Sequence, residues 1–265
     1  MQASDTAGRP ATKVGDAAVN ADGAPPARAL PATNSIAAGP AQPPAIEVRG
    51  LGRRNPKGEG WLIRDVSFAV HPGDRLAVLG PSGAGKTVLL RALAMLDPLD
   101  SGEIRWRGHA VPGGAVPSYR KQVIYLHQRP ALLDGNVEDN LRHPFTLRAH
   151  HGTEFDRERV VELLGYLDRD AAFLGKSGRD LSGGEAQIVA LLRAVQLDPA
   201  VLLLDEPTAS LDRATAGAVE GLLDRWLAAG PGGRALVWVG HDRDQARRVT
   251  ARGLYLRAGR LEPEG

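Results

Sequence analysis

The stretch Leu76-Ala77-Val78-Leu79-Gly80-Pro81-Ser82-Gly83-Ala84-Gly85-Lys86-Thr87-Val88-Leu89-Leu90 decides how this chain reads. Leu76–Leu79 is a short apolar run bounded by a glycine, too short for a core helix, and predicts a buried strand. It runs directly into Gly80, Pro81, Ser82, Gly83, Ala84, Gly85, Lys86 and Thr87, which match G-x-x-x-x-G-K-[ST]. Behind that loop Val88, Leu89, Ala92, Leu93 and Leu96 lie on one face of a predicted helix, stopped by Asp97-Pro98. Strand, glycine loop and helix in this order make a phosphate-binding loop. The glycines let backbone N–H groups turn inward, and the helix N-terminus adds roughly half a positive charge. Lys86 is then placed to neutralise the β and γ phosphates of a nucleotide, and the Thr87 hydroxyl to ligate Mg²⁺. A plain glycine-rich turn gives no reason for Lys and Thr directly after the last Gly.

Further strands are predicted at Val123–Leu126, Val201–Leu204 and Leu236–Val239, alternating with helical patterns, which argues for an α/β fold with a mostly parallel sheet. Polar groups follow each of them: His127 and Gln128, Asp205 and Glu206, Gly240 and His241. Ligands bind at the carboxyl ends of strands in open parallel sheets, so these groups are expected to converge. Polar loop residues after one strand would mean little. A carboxylate pair, a carboxamide and an imidazole after successive strands favour a site. Asp205 can hold Mg²⁺ through water, and Glu206 can polarise a water for in-line attack on a γ phosphate. Pro207 and Thr208 stiffen the turn behind it.

Leu181-Ser182-Gly183-Gly184-Glu185 opens another predicted helix, whose apolar face is Ile188, Leu191, Leu192 and Val195. Ser182 and Glu185 form an S-x-x-E capping box, which by itself explains the helix start. The glycines are left over. Each costs about 1 kcal/mol relative to Ala in a helical turn, so two in the first turn suggest that an anion approaches the backbone there.

Composition bounds these readings. The chain has 265 residues, 43% hydrophobic and 24% charged, enough for a real core. Residues 1–45 contain no aromatic and are dominated by Ala and Pro, so a disordered tail is expected there, ahead of a folded unit over 46–265. The absence of Cys excludes a disulfide scaffold, a Cys-ligated zinc and a thiol nucleophile. A net charge of +2 gives no basic excess that would indicate a nucleic-acid partner. No run approaches a membrane span, so the chain is expected to be soluble or membrane-bound only through a partner. His150-His151 lacks neighbouring ligands to complete a metal site and reads as a polar loop.

The ordered set GPSGAGKT (80–87), Gln128, LSGGE (181–185), VLLLDEP (201–207), Ser210-Leu211-Asp212 and His241 resembles the nucleotide-binding subunit of ABC transporters. The resemblance implies a P-loop NTPase (RecA-like) core, an antiparallel β subdomain and a helical subdomain inserted at about 129–198. It also implies ATP and Mg²⁺ as cofactors and a head-to-tail homodimer, each ATP held between Gly80–Thr87 of one copy and Ser182, Gly183 and Gly184 of the other. In that arrangement Gln128 contacts Mg²⁺, His241 contacts the γ phosphate and supports Glu206, and Asp212 communicates across the dimer. The implied partner is a multi-span permease subunit, which places the chain on the inner face of the cell membrane.

Ser118-Tyr119-Arg120-Lys121-Gln122-Val123, Asp139-Asn140-Leu141 with Phe145, and Trp238-Val239-Gly240-His241-Asp242 are similar to the FetA-type ATPases of FetAB metal (iron) exporters. The alternatives are the ATPase of an importer and a soluble, non-transport ABC ATPase. Three positions depart from the pattern. Ile188 and Gly240 stand where Arg and Thr or Ser are usual. The adenine-stacking aromatic is replaced by the stretch Gly52-Arg53-Arg54-Asn55, so Arg53 or Arg54 is expected to cover the base, with Trp61 as the rival.

Overall fold

The computed structural model describes residues 42–230, 233–240 and 243–262. The expected tail therefore lies outside the described residues through residue 41. Ala45 is already buried, and its carbonyl accepts the Arg107 N–H.

The first strands are β1 (Ile46–Arg54), β2 (Trp61–Val70) and β3 (Arg75–Leu79). Helix α1 (Lys86–Leu93) follows, then β4 (Ser101–Trp106) and β5 (His109–Ala110). An antiparallel four-stranded sheet in the order β2-β1-β4-β5 is made from these. After α2 (Val116–Gln122) and β6 (Val123–Leu126) the chain turns helical. Helices α3 (Val137–Thr146), α4 (Arg157–Gly165) and α5 (Gly183–Val195) lead to β7 (Val201–Asp205). The remainder is α6 (Arg213–Ala228), β8 (Ala235–Val239), α7 (Arg243–Val249), β9 (Arg252–Arg257) and β10 (Arg260–Leu261).

The second sheet has six strands in the order β10-β9-β3-β8-β7-β6. All its pairs are parallel except the β9–β10 edge. Every residue of β7 and β8 is buried, as a strand covered on both faces requires, and both read as unbroken apolar runs for that reason. Side chains alternate across such a strand. Leu202, Leu204, Leu236 and Trp238 thus pack with α5 and α6, while Val201, Leu203, Val237 and Val239 pack with β1, β2 and α1. The parallel strands predicted from sequence are present, each within one residue of its expected bounds, and β2 spans Trp61–Val70. Among the described residues no helix is long and apolar enough to cross a membrane.

His150 differs from its expectation. It is 9% exposed and meets the Phe145 ring at 6.4 Å. Burial and nearby Lys121 hold its imidazole below the ordinary histidine value. The Phe145 ring beside this imidazole is itself packed edge-on against Phe155 at 5.9 Å.

Candidate nucleotide site

Parallel pairing in the order β3-β8-β7-β6 brings the carboxyl ends of these strands to one edge of the sheet, and a cavity of about 640 Å³ opens there. Ser82, Gly83, Gly85, Lys86, Thr87, Gln128 and Glu206 line it, together with Trp61 from β2.

The loop backbone is shaped by glycine. Gly80 has φ 144° and Gly85 φ 101°, a region that side chains disfavour. A Cβ on Gly80 would stand 2.0 Å from the Leu256 carbonyl oxygen, and one on Gly85 would stand 2.8 Å from the Leu62 carbonyl oxygen. Gly83 differs, since its Cβ would meet nothing within 4 Å. Pro81 starts the turn, which closes through the Ala84 N–H donating to the Pro81 carbonyl at 3.2 Å. The buried Ala84 in turn accepts from the Gly259 N–H.

Lys86, 6% exposed, donates Nζ to the Gly80 and Pro81 carbonyls at 2.7 and 2.9 Å. The N-terminus of α1 has no side-chain cap and no acidic residue in its first turn. By contrast α3, α4, α5 and α6 are each capped by a side chain. Open N–H groups and a buried cation held on two carbonyl oxygens fit a nucleotide's phosphates.

At the rim, Gln128 Nε2 donates to Glu206 Oε2 at 2.6 Å. Glu206 holds φ 50°, and its N–H donates to the Val239 carbonyl at 2.9 Å, so the backbone of β8 fixes it. Asp205, 2% exposed, ends β7 below it and accepts a hydrogen bond from Tyr125 Oη at 3.0 Å. Burial, reinforced by the Asp205 charge, pushes the Tyr125 phenol above its ordinary value. The Thr87 hydroxyl, the Gln128 carboxamide and the Asp205 carboxylate offer the hard oxygen donors that suit Mg²⁺. His241 lies outside the described residues.

Of the residues expected to cover the base, neither Arg53 nor Arg54 lines the cavity; Trp61 does. Arg53 is paired with Asp100 at 3.0 Å, and Arg54 lies over the Trp61 ring at 4.9 Å. A local sequence reading could not foresee this, because the pairing of Arg54 with Trp61 across β1 and β2 sets which side chain faces the loop.

Ser182, Gly183 and Gly184 are not among the residues lining the cavity. The capping box is formed, with the Glu185 N–H donating to Ser182 Oγ at 3.2 Å and the Ser182 N–H to Glu185 Oε2 at 2.8 Å. Capping uses a lone pair of the Ser182 hydroxyl and leaves its O–H free to donate outward. The two glycines separate. A Cβ on Gly184 would stand 2.9 Å from the Ser210 carbonyl oxygen, so this glycine has a reason inside the chain that the anion argument did not foresee. On the exposed Gly183 a Cβ would meet only ordinary contacts, 3.8 Å from Ser210 Cβ.

Comparison with known proteins gives the chain's family. The ABC transporter family model matches residues 63–209. A "Probable anion import ATP-binding protein" of Haloferax volcanii is 38% identical, over 76% of this chain and 74% of that protein. "Protein STAR1" of Oryza sativa subsp. japonica is 38% identical over 82% of this chain and 62% of that protein. "Fe(3+) ions import ATP-binding protein FbpC 3" of Rhodococcus jostii is 35% identical over 83% of this chain, which spans 62% of that protein's length. Among solved structures, the dimeric ATP-binding cassette MJ0796 bound to ADP and Pi superposes with a TM-score of 0.74 at 25% identity, covering 83% of this chain and 97% of that one. The chain belongs to the ABC transporter family and is one of its ATP-binding, ATPase-type subunits.

Proposed function

We propose that the chain works as one half of a head-to-tail pair of identical subunits that hydrolyses ATP to drive a separate multi-span permease. The contact that carries this reading is Gln128 on Glu206 at 2.6 Å, on the cavity that Lys86 and Thr87 also line. In this role Lys86 leaves the Gly80 and Pro81 carbonyls to neutralise the β and γ phosphates, and the amides of Ser82–Thr87 hold their oxygens. Thr87, Gln128 and Asp205 would hold Mg²⁺, which would offset the negative charge of the phosphates. Gln128 would give up its hydrogen bond to Glu206, and the Glu206 carboxylate would accept a proton from the attacking water. His241 supports that carboxylate. Ser182, Gly183 and the α5 N-terminus meet the γ phosphate of the partner copy's nucleotide, and Asp212 relays across the pair.

The segment at about 129–198 is read as a helical subdomain that docks on the permease, on the inner face of the cell membrane. For direction of transport, the FetA-like stretches favour metal (iron) export. The names of two relatives, which mention anions and Fe(3+), favour import as the second reading. Cargo is a property of the permease, so the test includes it. The chain is purified from its native cells with whatever multi-span subunit accompanies it, and the pair is placed in vesicles with ATP and iron or an oxyanion. ATP-dependent extrusion of iron supports the export reading and uptake of either solute the import reading. Failure of the chain to co-purify with any multi-span subunit contradicts both.

A further inference from the structure

Tyr125 lies outside every motif by which the site was read. On β6 it stands opposite Leu203 of β7, and Asp205 is two residues further along the same face of β7. The phenol thus reaches along the sheet to Asp205 Oδ2 at 3.0 Å. Among the described residues this is the side-chain hydrogen bond that Asp205 receives, and no cation is paired with the carboxylate. The ring is held on its other side by an edge contact with His127, centroids 5.8 Å apart, next to Gln128. The guanidinium of Arg91 on α1 lies close to the phenol but is committed to Asp97, through Nε and one terminal nitrogen at 2.8 Å each.

A carboxylate that is 2% exposed and has no cationic partner can turn about its terminal torsion unless something fixes it. One donor on Oδ2 fixes that torsion and leaves Oδ1 for a cation or its water. We propose that Tyr125 is a positioning residue for Asp205: its hydroxyl locks the carboxylate so that one oxygen is presented to the divalent cation. This rests on the role given to Asp205 above. An outer partner of this kind orients the ligand without touching the metal.

Tyr125→Phe removes one oxygen and keeps the ring that packs on His127. The test titrates Mn²⁺ into the full-length protein loaded with a non-hydrolysable ATP analogue and follows free Mn²⁺ by electron paramagnetic resonance. Asp205→Asn is run beside it, and binding of the analogue without metal serves as the control for folding. Loss of an outer partner of a metal ligand predicts that Tyr125→Phe weakens Mn²⁺ about ten- to a hundred-fold, with metal-free binding unchanged. Mn²⁺ affinity equal to that of the parent, while Asp205→Asn is weakened, overturns the role of Tyr125 alone. Equal affinity in both variants overturns the metal role of Asp205 and the inference with it.

Discussion

Glu206 holds φ 50°, a left-handed backbone that a non-glycine residue rarely adopts, and it does so where its carboxylate meets Gln128. Strain of this kind, fixed by the Val239 carbonyl, keeps the side chain aimed at the cavity. Gly183 and Gly184 sharpen the reading of the signature segment. Gly184→Ala forces a methyl against the Ser210 carbonyl and is expected to lower stability by about 1–3 kcal/mol. Gly183→Ala has room, so it should melt near the parent temperature yet lose ATP-driven pairing. Thermal melts read alongside sedimentation with ATP separate these outcomes; a Gly183→Ala protein that pairs normally would deny the segment its contact with phosphate. The sequence showed Lys86, Thr87, Asp205 and Glu206 plainly, because each is tied to a strand end or a helix start. It could not show Tyr125, whose partner is eighty residues away and visible only once β6 and β7 are in register.

Among the elements, α5 depends on charge at its first turn. Lys176 donates to both Glu185 oxygens at 2.7 and 2.8 Å, and the Ser182 N–H adds a further hydrogen bond. These contacts, Lys176 first, hold the Glu185 carboxyl below the usual glutamate range. The folded state therefore binds this proton less readily than the unfolded chain. Its stabilisation is complete above the ordinary value of about 4.3 and is lost as pH falls through the lower folded value. Glu185→Gln should be less stable than the parent at pH 7, with the gap closing towards pH 3; a gap independent of pH in thermal melts would contradict this origin. Apolar patterning predicted the elements well where they are buried, as unbroken runs in β7 and β8 and as an apolar face in α5. It did less well at helix ends, since α1 stops at Leu93 rather than at Asp97-Pro98. There the Ala94 and Met95 N–H groups close onto Leu90 and Ala92, and Met95 takes φ 53°. The Gly240 departure also has a local cause, because a Cβ there would stand 2.8 Å from Nε1 of the buried Trp238.

On the proposed reading, the chain carries half of a machine. Its phosphate loop, Gln128 and Glu206 share one cavity, while the capped N-terminus of α5 is not part of that cavity's lining. An anion site at the α5 terminus and a nucleotide site at the α1 terminus are both satisfied by one ligand only if two copies face each other in opposite sense. A similar cassette is known as a dimer in a post-hydrolysis state with ADP and Pi. The sequence pointed to pairing of this kind only through the whole ordered set of motifs, since no single helix start says where its anion would come from. The most direct measurement is sedimentation velocity of the Glu206→Gln protein with Mg²⁺ and either ATP or ADP. The predicted result is a stable dimer in ATP, a monomer in ADP, and ATP turnover reduced at least about a hundred-fold, as expected when a group acting in general-base catalysis is removed. A protein that remains monomeric in ATP, or that hydrolyses it at the parental rate, would contradict the account.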